Sequence, residues 1–319
     1  MSVNCNKTTQ WKSDVKLSVD FYNDWFMNFA PKAFRETRVK TSKLVESALG
    51  WTNNLTNISP EALIANPKSI HMLRMCTCPP IARDRLIGLA GINANMIKVM
   101  ELDGVVPPRM KIDVLKEELR KAGEIIIKMA DTDIFTWLEK NEKPLDSEIY
   151  RAATIVADRL CGAVSDPIIR NAQEQRQLGA MRYWLESKGY RELEPKEAET
   201  FMDMPKGTFS FRFNIPIYLS TGKEVNIPVD ALIMRKDAAD GEFPIIFEAK
   251  SAGDFTNTNK RRKEEAVKIS QLKNTYGDGI SFNLFLCGYF DAGYLGYEAA
   301  EGIDWVWEHR IDDLNGFNF

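Results

Sequence analysis

Between residues 19 and 164 the apolar positions recur at helical spacing, and alternating strand-like runs are scarce. Short breaks interrupt the pattern at 53–60, 78–80, 107–108 and 142–144. Over 111–138, Ile112, Leu115, Leu119, Ile126, Met129 and Ile134 mark an apolar face, with Lys, Glu and Arg on the others. That spacing predicts a helix across the stretch and an all-helical first half. No internal repeat is detectable there, and no Gly-rich phosphate loop of either the P-loop or the dinucleotide type.

The texture changes at Ser165-Asp166-Pro167, where Asp before Pro at a first helical position predicts a helix start. A long helix is expected to run to about Lys188 and end at Gly189. Strand-like segments follow at 208–219, 224–234 and 243–250, with Thr221-Gly222-Lys223 as the turn between the first two. Residues 259–274 return to helical spacing through Ala266, Ile269 and Leu272, and 280–287 reads as a buried strand. The expectation is a mixed α+β protein: a helical domain over 1–164, whose residues carry no readable chemistry, and a second domain over 165–319 ordered helix, three strands, helix, strand.

Composition narrows this without redirecting it. With 44% hydrophobic and 27% charged residues in 319, the chain can bury a sizeable core. The first twenty residues carry Lys7, Lys12, Asp14 and Lys16 with no apolar run, and no stretch reaches the roughly 18 apolar residues of a membrane span. A soluble cytoplasmic protein with no membrane partner is expected. Five irregularly spaced cysteines argue against a disulfide framework. His71, Cys76 and Cys78 lack a fourth zinc ligand, so buried free thiols are the simpler reading. The net charge of −3 hides an uneven distribution: Lys260-Arg261-Arg262-Lys263 is followed by Lys268 and Lys273, whereas 289–319 holds seven acids and only Arg310 as a fixed cation. A local basic patch, not the average, governs attraction to nucleic acid.

The chemistry gathers in two strands. The second carries Pro228-Val229-Asp230 and the third Phe247-Glu248-Ala249-Lys250, with seventeen residues between the acids. Strand alternation puts Glu248 and Lys250 on one face and Phe247 and Ala249 on the other. A hairpin would bring Asp230 beside them, with Pro228 implying an edge, bend or bulge near the acid. Two carboxylates and an ammonium suit phosphodiester hydrolysis, in which Asp230 and Glu248, with the Ala249 carbonyl, hold Mg2+ and Lys250 orients water and stabilises the transition state. Charged groups ending apolar strands are costly unless used, which separates this pattern from a chance Glu-x-Lys.

Pro228-Val229-Asp230 and Phe247-Glu-Ala-Lys250, in an α-β-β-β-α-β order over about 165–287, resemble the PD-(D/E)XK superfamily and its type II restriction endonucleases. The stretch from Phe247 to Lys263, and Gly288-Tyr-Phe-Asp-Ala-Gly-Tyr-Leu-Gly296, are similar to the XamI family. Val229 stands inside the family's Pro-Asp pair. The resemblance implies a restriction-endonuclease-like core, Mg2+-dependent cleavage of both strands of duplex DNA with 5′-phosphate and 3′-hydroxyl ends, a homodimer and a companion DNA methyltransferase. It also implies an optional further acid on the preceding helix, for which Glu174 is the candidate; an ion pair with Arg170 at i−4 explains the same residue without catalysis. Another nuclease of this superfamily, acting in repair, at junctions or on modified DNA, and a noncatalytic DNA-binding protein on the same fold are the rivals.

Leaving the third strand, Ser251, Thr256, Asn257, Thr258 and Asn259 lead into Lys260, Arg261, Arg262 and Lys263. Small polar groups and helix-start amides suit phosphates, and Asn and Arg suit base edges, so this segment is the expected DNA contact. Trp305-Val306-Trp307 is assigned to core packing in preference to base stacking, because the acids around it would repel phosphates.

Overall fold

A computed structural model describes residues 2–140, 142–194, 197–219, 221–256 and 258–319. Its helices are α1 (Trp11–Trp51), α2 (Pro60–Ala65), α3 (Ser69–Arg74), α4 (Arg83–Ala90), α5 (Ala94–Leu102), α6 (Ile112–Lys128), α7 (Trp137–Lys140), α8 (Asp146–Ser187), α9 (Thr258–Tyr276) and α10 (Ala292–Ala300). The strands are β1 (Arg191–Glu192), β2 (Thr208–Tyr218), β3 (Glu224–Met234), β4 (Ile245–Ala252), β5 (Phe282–Gly288) and β6 (Asp304–Trp307). No described helix is long and apolar enough to cross a membrane.

Two compact units emerge, one of Ala30–Ile168 and one of Met1–Phe29 with Ile169–Phe319. The first is helical, as expected, around a core that includes Leu49, Leu63, Leu73, Leu119, Ile126, Trp137 and Val156. Its helix over 111–138 is shorter than the spacing predicts. α6 stops at Lys128, where the backbone turns to bond the 76–78 segment: Cys78 N–H donates to the Met129 carbonyl, and Asp131 N–H to that of Cys76. All five cysteines are free.

The predicted helix start at Asp166-Pro167 is also corrected. α8 is continuous from Asp146 to Ser187 with Pro167 inside it. An interior proline costs roughly 3 kcal/mol, which burial of Leu160 and Cys161 before it and Met181 and Leu185 after it offsets. The two units part between Ile168 and Ile169, within a helix, and residues 1–29 belong to the unit that holds the sheet. Val3, Asn4 and Cys5 donate backbone N–H groups to the Asp304 carboxylate, Trp11 packs on Trp305, and Arg310 grips both oxygens of Asp14 at 2.6 and 3.0 Å.

The sheet runs β1-β2-β3-β4-β5-β6. β2, β3 and β4 are antiparallel neighbours; β5 and β6 continue parallel to β4. β5 is buried along its whole length, as a parallel strand covered on both faces must be. One face packs Phe209, Ile233, Phe247 and Phe285 against Met181, Trp184 and Leu185 of α8. The other packs Ile215, Ile246, Leu284 and Trp305 with Ile269 and Leu272 of α9 and Leu295 of α10. Trp305 and Trp307 are fully buried, in keeping with the core-packing expectation.

One local feature positions the site. Phe209 faces the α8 side, yet Ile215 and Ile217 on the same strand, at the same parity, face the α9 side; on β3, Ile227 and Val229 face α9 while Ala231 and Ile233 face α8. Both strands turn over at one level, where the pairing passes from Phe211↔Ala231 to Phe213↔Val229. At that level Arg212 takes φ +55, a left-handed conformation costly for a residue with a side chain, and Asp230 lies opposite.

Candidate active site

The turnover of β3 delivers Asp230 to the point where the strand leaves β4. The last paired residues there are Ala231 and Phe247, one step short of both acids. Asp230 Oδ2 accepts a hydrogen bond from Ala249 N–H at 2.8 Å, so the carboxylate of one strand holds the backbone of the next. As alternation requires, Glu248 and Lys250 share a face, and Lys250 Nζ donates to Glu248 Oε2 at 2.9 Å. The expected trio is thereby brought together from two strands.

Asp230, Ala249, Lys250 and Ser251 line an open cavity of about 290 Å³ with Arg170, Gln173, Glu174 and Gln177 of α8 and Glu264 of α9. Gln177 is buried and donates Nε2 to the carbonyls of Phe285 (3.1 Å) and Lys250 (3.3 Å), which fixes the backbone of β4 against β5. Glu174 reaches the same cavity, but its ion-pair partner is Arg212, at 2.8 Å, and not the expected Arg170. The residue in the strained conformation thus points its guanidinium to the cavity's optional acid.

Sequence reasoning overlooked three contributors. Lys268 of α9 donates Nζ to Glu248 Oε1 at 2.5 Å and to the Pro228 carbonyl at 2.7 Å. Glu265, 2% exposed, stands 3.9 Å from Lys250 and accepts the Tyr294 hydroxyl at 2.9 Å. Arg212 is the third. Only Lys268 left a trace in sequence, as a member of the basic run.

Burial pushes Asp230 up from an ordinary 3.8 to about 6, and the Glu248 charge adds to the rise. Burial opposes the charge on Lys250, but Glu248, Glu265 and Asp230 outweigh it and hold the ammonium above the usual lysine value. Because folding raises the Asp230 pKa, this group stabilises the protein below pH 3.8, and the contribution is lost as pH rises through about 6. The shift corresponds to roughly 3 kcal/mol. Without divalent metal, Asp230→Asn is therefore expected to melt higher than wild type at pH 8, with the gain shrinking toward pH 4. Parallel melting curves across that range would refute the coupling.

Among the described residues no group of three or more His, Cys, Asp or Glu side chains is gathered for a metal. Asp230 and Ala249 line the open cavity, and the second carboxylate, Glu248, lies buried beside it with Lys250 on one oxygen and Lys268 on the other. That donor set fits Mg2+, which binds through one or two carboxylates and keeps several waters. Burial first, and then repulsion from Glu248, raise Asp230, and a divalent cation beside the carboxylates would offset both.

The expected DNA segment divides. Ser251 lines the cavity. Thr256 N–H bonds Asp254, and Thr258 is buried with its hydroxyl on the Phe255 carbonyl, a local cap and not an exposed reading group. Arg262 lays its guanidinium 3.7 Å from the centre of the Tyr297 ring, and Lys263 is exposed. Asn257 and the side chains of Asn259, Lys260 and Arg261 lie outside the described residues.

The family model described as XamI restriction endonuclease matches residues 53–307. The type II restriction enzyme SalI of Streptomyces albus G is 52% identical over 312 residues, covering 98% of this chain and 98% of its own. No solved structure matches. With the family match spanning both units and a relative of this identity over nearly the whole length, the chain belongs to the XamI restriction endonuclease family.

Proposed function

We propose that this type II restriction endonuclease hydrolyses both strands of duplex DNA at a short specific sequence, using Mg2+ held by Asp230, Glu248 and the Ala249 carbonyl, with Glu174 as an optional further ligand. Family membership makes the chain a site-specific deoxyribonuclease. The observation that carries the catalytic assignment is the convergence of Asp230, Glu248 and Lys250 where β3 and β4 part, beside an open polar cavity.

When bound, the divalent cation supplies Lewis-acid polarisation of the phosphate and acidifies water. The chain's own groups do the placing. Lys250 enters the cavity as an ammonium, donates toward the attacking water and balances the charge that builds on the phosphoryl oxygens. Held cationic by three carboxylates, it orients water and does not remove its proton. Attack in line with the 3′-oxygen leaves a 5′-phosphate and a 3′-hydroxyl. Ser251, at the cavity, and Arg262 and Lys263, at the start of α9, form the side from which DNA is approached. Two copies related by a twofold axis would cut the two strands symmetrically. The setting is cytoplasmic, alongside a methyltransferase that protects the host's own sites.

Incubating the full chain with sequenced plasmid DNA tests the reading. Discrete fragments carrying 5′-phosphates are expected with Mg2+, and none with EDTA. Duplex binding without cleavage under any metal or methylation state would sink it.

A further inference from the structure

The ladder between β3 and β4 stops at Ala231 and Phe247, yet Asp230 and Glu248 must sit at a fixed spacing just beyond it. Two contacts take over from the missing backbone bonds. One is the Asp230 carboxylate on Ala249 N–H. The other comes from outside the sheet: Lys268 of α9 places one ammonium on the Pro228 carbonyl of β3 and on Glu248 Oε1 of β4. Its side chain is 21% exposed and that of Glu248 only 4%, so water competes weakly for the pair.

We propose that Lys268 is a positioning residue for cleavage, a strut that fixes the Glu248 carboxylate relative to the Pro228–Asp230 bend and whose charge weakens that carboxylate's pull on a divalent cation. The inference rests on Asp230 and Glu248 being the cation's ligands. The two oxygens of Glu248 are divided between two ammonium groups, Lys250 on Oε2 and Lys268 on Oε1. Lys250 lines the cavity with Asp230, whereas Lys268 lines a separate apolar recess with Ile227, Val267 and Gln271. Lys268 therefore acts through Glu248 and not on the substrate. The Pro228 carbonyl holds the Lys268 ammonium by a bond that does not depend on Glu248, so its charge stays beside the carboxylate, orients it and subtracts from its attraction for a cation. Placement and affinity are then set against each other by one side chain.

That opposition gives the test. Wild type, Lys268→Met, Lys268→Arg and Asp230→Asn are compared by thermal melts titrated with Mg2+ alone, and by kcat and KM on a plasmid that wild type cuts into discrete fragments. In Lys268→Met the Mg2+ midpoint is expected about tenfold lower, as the loss of a cation beside the ligand requires. Its kcat should fall by roughly 10–100-fold with KM for DNA unchanged. Lys268→Arg, keeping the charge, restores the wild-type midpoint and most of kcat. A packing role would lower Tm and leave both the midpoint and kcat where they were. If Lys268→Met does not fold, Lys268→Gln is measured in its place and judged by the same outcomes. Wild-type kcat in the uncharged variant, or a reduced kcat with an unchanged or raised Mg2+ midpoint, overturns the inference. If Mg2+ raises the melting temperature of wild type and Asp230→Asn abolishes the rise, the ligand assignment stands and only the Lys268 inference is exposed to failure. If Mg2+ gives no such rise, both fall together.

Discussion

Asp230→Asn should abolish double-strand cleavage, with kcat down by at least about 10³-fold, while the protein remains folded and binds DNA. The amide oxygen can still accept from Ala249 N–H, so the bond that holds β4 at this level survives, and what disappears is the charge needed against a divalent cation. Lys250→Ala should be as inactive for a different reason. It leaves both carboxylates in place, removes the ammonium from the cavity, and strips Glu248 of its Oε2 partner. The two variants should separate in metal titrations: Asp230→Asn loses the Mg2+-induced rise in melting temperature and Lys250→Ala keeps it. Plasmid cleavage by Asp230→Asn at wild-type rate would remove Asp230 from the centre of the mechanism.

The largest expected loss of stability comes from a residue with no side chain. Gly288 ends β5 at φ +96, and a Cβ there would lie 2.1 Å from the Ala252 carbonyl oxygen. Neither partner can rotate away, since one atom is backbone in β4 and the other is fixed by the parallel pairing of Ala252 with Gly288. Gly288→Ala should therefore destabilise the sheet-containing unit by more than about 3 kcal/mol, combining positive-φ strain with the clash. Chemical denaturation with unchanged m-value would measure it, and a loss under 1 kcal/mol would show that the strand ends relax freely.

The central strands were legible because their physics is local. β3 matches the predicted 224–234, and β2 and β5 differ from expectation by one or two residues, since alternation and β-branched runs bounded by turn residues specify them without reference to neighbours. The trio followed from the same alternation plus one hairpin. Less was visible where tertiary pairing decides. The helical spacing of 11–29 is the same whichever unit it packs on, so nothing in it announced that it closes the core around Trp305. β6 is four residues, all buried, with no alternation to mark it. Lys268 looked like one more cation on a basic helix, because its distinction is a distance to Glu248, twenty residues away. The reversal of strand faces at Arg212 and Asp230 left only Pro228 as a hint of a bend.

The contacts joining residues 3–14 to 304–310 set the order of events in synthesis. An emerging chain can complete the Ala30–Ile168 unit from contiguous sequence, but the N-terminal residues wait for acceptors nearly three hundred positions later. Loop closure of that length makes the sheet-bearing unit the late step. A ribosome-bound intermediate would already carry Asp230, Glu248 and Lys250 while the support beneath them was unfinished. For a site-specific deoxyribonuclease, that interval separates the synthesis of the cutting residues from the competence to cut.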